Sequence, residues 1–424
     1  MQLYDLDMRP IKVAPQRKVD TFNASYITKT VPLNTINLNW TENELPERLR
    51  TKHVHRLHPY LGKFVPQLVE IFLRKFSPKT VCDPFCGSGT TLVEANALGI
   101  ASVGSDISEF NCLINKVKTD EYDLNLLEKE VKDILGRLKN KEITRPDFRD
   151  VSDTDNEYLK SWFAERVRKH LLFFRSQIPD YTYQDFFKVV LSRAARSARL
   201  TTHFDLDFPR TPQKEPYYCY KHKRVCKPTD DALKFLNRYT LDALRRVQAF
   251  SKIRSGASVK ILQGDSRHIN FPKFDFVFTS PPYVGLIDYH EQHRYAYELL
   301  GLKWNAEQEI GPMRMGSSKK AQMDYIQNIG EVFSNVRSSL SDGGLVAIVV
   351  NDKNQLYDDL PQKIGFELEE KVTREEVAHY IKYETGSMSG LRQLGRIQGD
   401  WRPIDAIAED CAWVFNEIDK ELGK

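Results

Sequence analysis

The sequence predicts an α/β fold, a parallel sheet split into two halves by a long helical insert. Two observations point to the sheet and one to the insert. The runs TVCDPF (80–85) and ASVGSDI (101–107) alternate with helical patterns between residues 66 and 119, the order of strands and crossover helices in a parallel sheet. Three further runs, SVKILQGDSRHI (258–269), FDFVFTSPPY (274–283) and GGLVAIVVND (343–352), resume that pattern. Roughly residues 120–256, between the two halves, are charged and mostly helical. That stretch far exceeds the usual α/β connection of about 2–6 residues, so it reads as an inserted domain.

Taken in order, residues 1–57 read as a polar arm with short extended pieces such as TINLNW. PQLVEIFLRKF (66–76) has the apolar spacing of a helix. TVCDPF is a short β-rich run, and GSGTTLVEANALG (87–99) is a glycine turn feeding a helix that a glycine closes. ASVGSDI is a strand ending in an acid, and ISEFNCLINKVKT continues as a helix. After the insert come two strands, a helical stretch over 290–340, and the strand at 343–352. IGFELEEKVTRE (364–375) and CAWVFNE (411–417) read as a closing strand pair. The expected division is 1–57, 58–119, 120–256 and 257–424.

A hydrophobic content of 41% in 424 residues supports real cores, and 28% charged residues is ordinary for a soluble protein. The net charge of +4 is a weak pointer to nucleic acid; local clusters matter more. Six cysteines in 424 residues suggest no disulfide framework and a reducing cytosol. The N-terminus lacks the apolar stretch of a signal peptide, and no apolar run approaches membrane-spanning length. The expected setting is the cytoplasm, with no membrane partner.

Chemistry gathers at the strand ends. In DPFCGSGTT (83–91), Gly87 and Gly89 permit positive φ and close backbone approach to a ligand. The N–H groups there and the helix start favour an anionic or polar group. The loop is neither a P-loop nor G-x-G-x-x-G, and the alternative reading of the loop alone is a tight strand–helix turn. Asp106 ends the next strand, where an acid reaches a ribose diol or caps a helix. Asp265 ends the third, reading either as an adenine-amine acceptor or as a turn residue. Loop and acid in register imply a nucleoside-bearing cofactor without a long pyrophosphate. In TSPPY (279–283) two prolines cannot extend a ladder. They make a stiff extended stub whose carbonyls cannot slide, a suitable holder for a substrate group.

DPFCGSGTT, GSDI, GDS and TSPPY, in that order, resemble the motifs of the S-adenosylmethionine-dependent DNA amino-methyltransferases, which methylate cytosine N4 or adenine N6. The resemblance is best over 58–119 and 258–352. It implies a Rossmann-like class I methyltransferase sheet, mostly parallel with a closing antiparallel strand, plus a mainly helical inserted domain. It places the cofactor on Asp83, Pro84, Phe85, Gly87, Gly89, Thr90, Thr91, Asp106, Ile107, Asp265 and Ser266. HPYLGKFVPQL (58–68) resembles the element closing over the methionine end, which adds Tyr60, Lys63 and Phe64. Ser280, Pro281, Pro282 and Tyr283 match the catalytic tetrapeptide. Ser280 and the Pro281 carbonyl would accept from the target amine, and Tyr283 would stack on a flipped base. Serine before Pro-Pro leans toward cytosine N4, with adenine N6 the alternative. An RNA guanine-N2 methyltransferase and a non-catalytic DNA-binding subunit are the further readings. The family implies double-stranded DNA as partner, a bacterial or archaeal nucleoid setting, and a restriction endonuclease acting separately.

The motif order resembles the class whose target-recognition domain sits between the two halves. In the insert, Arg193, Arg196 and Arg199 recur every third residue, and Lys221, Lys223 and Arg224 form a second basic knot. They read as phosphate contacts or as a solvated face. Arg294 in DYHEQHRYAYELL could meet a phosphate. His290 and His293 there fit a metal pair less well than a helix capped at Asp288, and Tyr295 and Tyr297 either pack or line the base pocket. Cys219, His222 and Cys226 are three candidate zinc ligands, but a structural site wants four, so no metal is expected.

Overall fold

The computed structural model describes residues 22–41, 44–140, 143, 152–203, 205–206, 209–352 and 354–371. Five strands form the main sheet: β1 (Thr80–Asp83), β2 (Ala101–Asp106), β5 (Val259–Gln263), β6 (Phe274–Thr279) and β7 (Leu340–Ile348). Their spatial order is β5-β2-β1-β6-β7, and every pairing is parallel. A parallel sheet buried on both faces needs near-continuous apolar strands, and FDFVFT meets this with Phe274, Phe276, Val277 and Phe278 all buried. The chain leaves β1 toward β2 and β5 on one side, and later fills β6 and β7 on the other. The carboxyl ends of β1 and β6 therefore flank the switch point, where open α/β sheets bind ligands.

Two carboxylates lock that pair of strands. Asp275 accepts the backbone N–H groups of Lys79 at 2.9 Å and Thr80 at 2.8 Å, fixing the start of β1 against β6. Asp83 accepts the Thr279 hydroxyl at 2.6 Å, fixing the other end.

Helices cover both faces. On one lie α1 (Pro66–Phe76), started by Pro66 at its first position and ended at left-handed Ser77, and α2 (Thr90–Ala97). On the other lies the 21-residue α11 (Lys319–Ser339), whose Ile329, Val332, Phe333 and Val336 pack on Val103 and Val277. α3 (Glu109–Thr119) follows β2. The arm forms no strand where described, although Ile36 in TINLNW has extended backbone. Its Ala24, Ile27, Leu33, Ile36 and Leu38 instead pack on α1 and the sheet, because the arm's few apolar residues complete a face that α1 alone leaves uncovered.

The insert contributes α4 (Leu124–Leu138), α5 (Glu157–Trp162), α6 (Glu165–Gln177), α7 (Gln184–Ala198) and α8 (Leu233–Ser251), with a hairpin of β3 (Tyr217–Cys219) and β4 (Arg224–Cys226). In α8 the buried positions Leu233, Leu236, Thr240, Leu244 and Val247 recur every three or four residues, the stripe of a packed helix. Its core is continuous with the sheet domain: Phe110, Ile114 and Val117 of α3 join Leu127, Val131, Phe187 and Leu244 in one cluster. After the insert come α9 (Tyr289–Gln292) and α10 (Arg294–Leu300). Of the expected closing pair, Ile364–Lys371 carry no strand, while 372–375 and 411–417 lie outside the described residues. No helix among the described residues is long and apolar enough to cross a membrane.

Candidate active site

A cleft opens at the carboxyl ends of β1, β2 and β6. Its floor is the β1–α2 turn. Gly87 and Gly89 have φ of 47° and 80°, as the turn requires. A Cβ on Gly89 would lie 1.7 Å from Asn115 Oδ1. The Asn115 side-chain amide donates to the Gly87 carbonyl at 2.8 Å, and buried Lys118 donates to the Ser88 carbonyl at 2.5 Å. The turn is thus held from below by α3, with its other side toward the cleft.

Asp106 stands opposite. Its carboxylate accepts from Gly87 N at 2.9 Å, Ser108 N at 2.8 Å and Asn111 Nδ2 at 3.1 Å. Desolvation outweighs these bonds and pushes its pKa up to about 6. Asp83 is likewise pushed up to about 6 by burial, despite the donors Thr279 Oγ1 and Phe85 N. Tyr60 closes the cleft from the side, its ring stacked on Tyr289 at 6.0 Å and on His293 at 5.5 Å. Lys63 lines the same wall, and burial brings its pKa down to about 8.

The cleft gathers Tyr60, Lys63, Phe64, Asp83, Pro84, Phe85, Gly87, Thr90, Asp106, Ile107, Asp265 and Ser266 with Ser280 and Pro282. Gly89 and Thr91 sit behind the floor; Thr91 is buried and donates to the Phe278 carbonyl at 3.2 Å. Two of the lining residues are already committed. Asp265 is gripped by Arg267, with Nη2 at 2.6 Å and Nε at 3.0 Å. Desolvation opposes ionisation of Asp265, but the guanidinium wins and holds its carboxyl below the usual range. Ser266 donates to the Pro84 carbonyl at 2.6 Å.

Ser280 follows the last residue of β6, and the stub behind it is braced. Pro281 is buried. Tyr325 of α11 donates to the Pro282 carbonyl at 2.7 Å, and its hydroxyl meets that of Tyr357 at 2.6 Å. Sequence reasoning missed Tyr325, Tyr289 and Asn111. Asn111 had a signal, since it lies in the first turn of the helix that follows a strand-end acid. Tyr325 lies 43 residues beyond Pro282, and nothing local marks it.

A nucleoside-bearing donor fits these residues. Ser88 Oγ and Asn111 Oδ1 are buried without a hydrogen-bond partner in the cleft wall, and such atoms call for a ligand or water. Phe64, Phe85 and Tyr60 supply apolar surface, and Asp106 an acceptor.

In the insert and beside it, three arginines depart from the expected phosphate face. Arg193 is buried, paired with Asp242 at 2.7 Å and seated over the Tyr239 ring at 4.3 Å. Arg199 lies past the end of α7, buried over the Tyr295 ring at 4.6 Å, and donates to the Leu206 carbonyl at 2.6 Å. Arg294 pairs with Glu298 at 3.1 Å and Glu291 at 3.5 Å. Arg193 and Arg199 are taken up by neighbours the linear pattern does not show, Arg294 by glutamates three and four residues away. Arg196 is half-buried on α7. Lys221, Lys223 and Arg224 are exposed on the hairpin turn and make no ion pair among the described residues. Asp288 precedes α9, but its carboxylate accepts from Arg314 rather than capping the helix, and His290 Nδ1 meets Glu309 at 2.5 Å. Tyr295 and Tyr297 are packed in the core. The expectation of no metal rested on a missing fourth ligand, and the structure supplies one in His203, beside Cys219, His222 and Cys226.

A DNA methylase family model for N6 and N4 methyltransferases matches residues 15–117. Type II methyltransferase M.MjaII of Methanocaldococcus jannaschii is 40% identical, over 76% of this chain and 76% of its own length. Type II methyltransferase M.MvaI of Kocuria varians is 26% identical over 61% of this chain and 60% of that protein. Type II methyltransferase M.BsoBI of Geobacillus stearothermophilus is 27% identical, covering 66% and 60%.

Proposed function

We propose, from the premise that the chain belongs to the N6/N4 amino-methyltransferase family of DNA methylases, that it methylates the N4 amine of a cytosine flipped out of double-stranded DNA. The methyl donor is S-adenosylmethionine, which supplies an electrophilic methyl group on a sulfonium. The observation that carries the reading is the position of Ser280. It lies on the same cleft wall as Asp83, at the end of the strand next to the cofactor turn.

In this reading Asp106 accepts the ribose hydroxyls, Ile107 and Phe85 flank the adenine, and Lys63 faces the carboxylate end. Asp265 meets the adenine amine only with whatever acceptor capacity Arg267 leaves, so its part is the smaller. Ser280 Oγ and the Pro281 carbonyl accept the two N–H bonds of the target amine. This draws electron density onto nitrogen and turns its lone pair toward the methyl group. The N–C bond forms as the S–C bond breaks, and the surplus proton leaves to water. Tyr283 stacks on the base. Tyr325 holds the stub still, so most of the acceleration comes from positioning. Serine ahead of Pro-Pro resembles the cytosine-N4 members of the family, which supports cytosine over adenine. The hairpin cations Lys221, Lys223 and Arg224 meet phosphates, and a separate endonuclease would cut the same site when unmodified.

The test is tritium transfer from labelled S-adenosylmethionine to DNA, followed by digestion to nucleosides. Label in N4-methyldeoxycytidine is the expected result. Label in N6-methyldeoxyadenosine would overturn the base assignment, and no transfer would overturn the catalytic reading.

A further inference from the structure

We propose that His203, Cys219, His222 and Cys226 form a structural zinc site that pins the basic hairpin to the insert. The Cys219-x2-His222-x3-Cys226 run supplies only three ligands. The fourth arrives because the loop after α7 folds back: His203 lies 16 residues before Cys219, yet its Nδ1 is 3.6 Å from Cys219 Sγ. All four ligand atoms lie within 4.8 Å of one another.

Three of the six distances between ligand atoms are those a tetrahedral ion sets. Zn–S bonds of about 2.3 Å and Zn–N bonds of about 2.0–2.1 Å at tetrahedral angles give S···N edges of about 3.5–3.6 Å. Cys219 Sγ to His222 Nδ1 is 3.5 Å, Cys226 Sγ to His222 Nδ1 is 3.5 Å, and Cys219 Sγ to His203 Nδ1 is 3.6 Å. A thiol is a weak donor, and hydrogen bonding alone gives no reason for two thiols and two imidazoles to converge. Two sulfurs with two imidazoles in this geometry select zinc among common cations. The Tyr217 hydroxyl accepts from His203 N at 3.0 Å, which fixes where the histidine enters; its 3.0 Å contact with Nδ1 is the one that zinc binding replaces.

The hairpin needs such a tie. Its strands have three residues each, and an isolated two-stranded hairpin is marginal at best. Tyr218 pairs with Val225 on the outer side, where they are 52% and 65% exposed. The cysteines on the inner side are buried. Lys223, directly after His222, takes a left-handed φ of 52°, which closes the turn; the two sulfurs are buried, while both histidines and Lys221, Lys223 and Arg224 are exposed.

The experiment is metal analysis of the full chain, purified without chelator in zinc-supplemented medium, with cobalt(II) exchanged for the bound metal. We expect about one zinc per chain and the intense visible bands of a tetrahedral cobalt site with thiolate charge transfer. His203→Ala and Cys226→Ser should each weaken zinc retention against a competing chelator by about tenfold or more, with S-adenosylmethionine affinity within about twofold of the parent. The preserved cofactor affinity shows that these variants still fold. Zinc far below one per chain, cobalt spectra without thiolate bands, or unchanged retention in His203→Ala would overturn the assignment.

Discussion

The floor of the cleft and its proline stub are built from backbone and short side chains, whereas the basic segments of the insert are built from long cationic ones. At the cleft, Gly87, Gly89 and two prolines fix the chain within a residue or two, and Asp106 reaches its partners through one methylene. In the insert, Arg193 and Arg199 span several ångströms and settle on whatever acceptor tertiary packing brings: Asp242 for one, the Leu206 carbonyl and the Tyr295 ring for the other. A short side chain on a constrained backbone keeps the role its neighbours in sequence give it. A long one takes its role from neighbours in space.

The largest effect that could break this contrast is at Asp106. Asp106→Asn should weaken S-adenosylmethionine binding by at least about 100-fold, since charge-assisted hydrogen bonds of about 1.5–3 kcal/mol each are lost. Its pKa of about 6 also sets a pH dependence. The ionised form binds the diol, so parent affinity should be level above about pH 7. It should then fall about tenfold per unit below pH 6, with part of that fall removed in the variant. The folded apo chain shows the opposite sign. This carboxyl titrates higher folded than unfolded, so the native state binds more protons between about pH 4 and pH 6. Its contribution to stability therefore rises as pH falls through that window. Calorimetry across pH 5–8 checks both; level affinity down to pH 5 would remove Asp106 from the site.

Next is Arg193. As an interior partner of Asp242, its loss should cost about 2–4 kcal/mol of stability, read by denaturant melts, while the salt dependence of DNA binding stays as in the parent. A stable Arg193→Ala with a shallower salt slope would return it to the DNA face.

The smallest effect on the fold, and the complementary one, is at the hairpin. Replacing Lys221, Lys223 and Arg224 together with alanine should leave the melting temperature within about 1–2 °C, consistent with surface changes of roughly 0.5 kcal/mol. It should lower the salt slope of DNA binding by about 2–3. An unchanged slope would put the DNA elsewhere.

What was legible in the sequence follows the same division. The sheet strands, the glycine turn, the strand-end acids and the proline stub could be read because each announces itself within a few residues. Tyr325 could not, because its hydrogen bond to Pro282 depends on how α11 lies across the sheet. His203 could not, because its loop joins the hairpin only after folding. The same holds for the arm, whose scattered Ile27, Leu33 and Leu38 look polar in sequence context and become core once α1 is in place.

The most direct measurement of the central claim, that the stub at the end of β6 holds the target amine, is single-turnover methyl transfer by Ser280→Ala with cofactor affinity measured alongside. The account predicts a transfer rate lower by about tenfold to a hundredfold, one to two hydrogen-bond energies, with S-adenosylmethionine affinity within about twofold of the parent. An undiminished rate, or a loss that appears wholly in cofactor affinity, would contradict it.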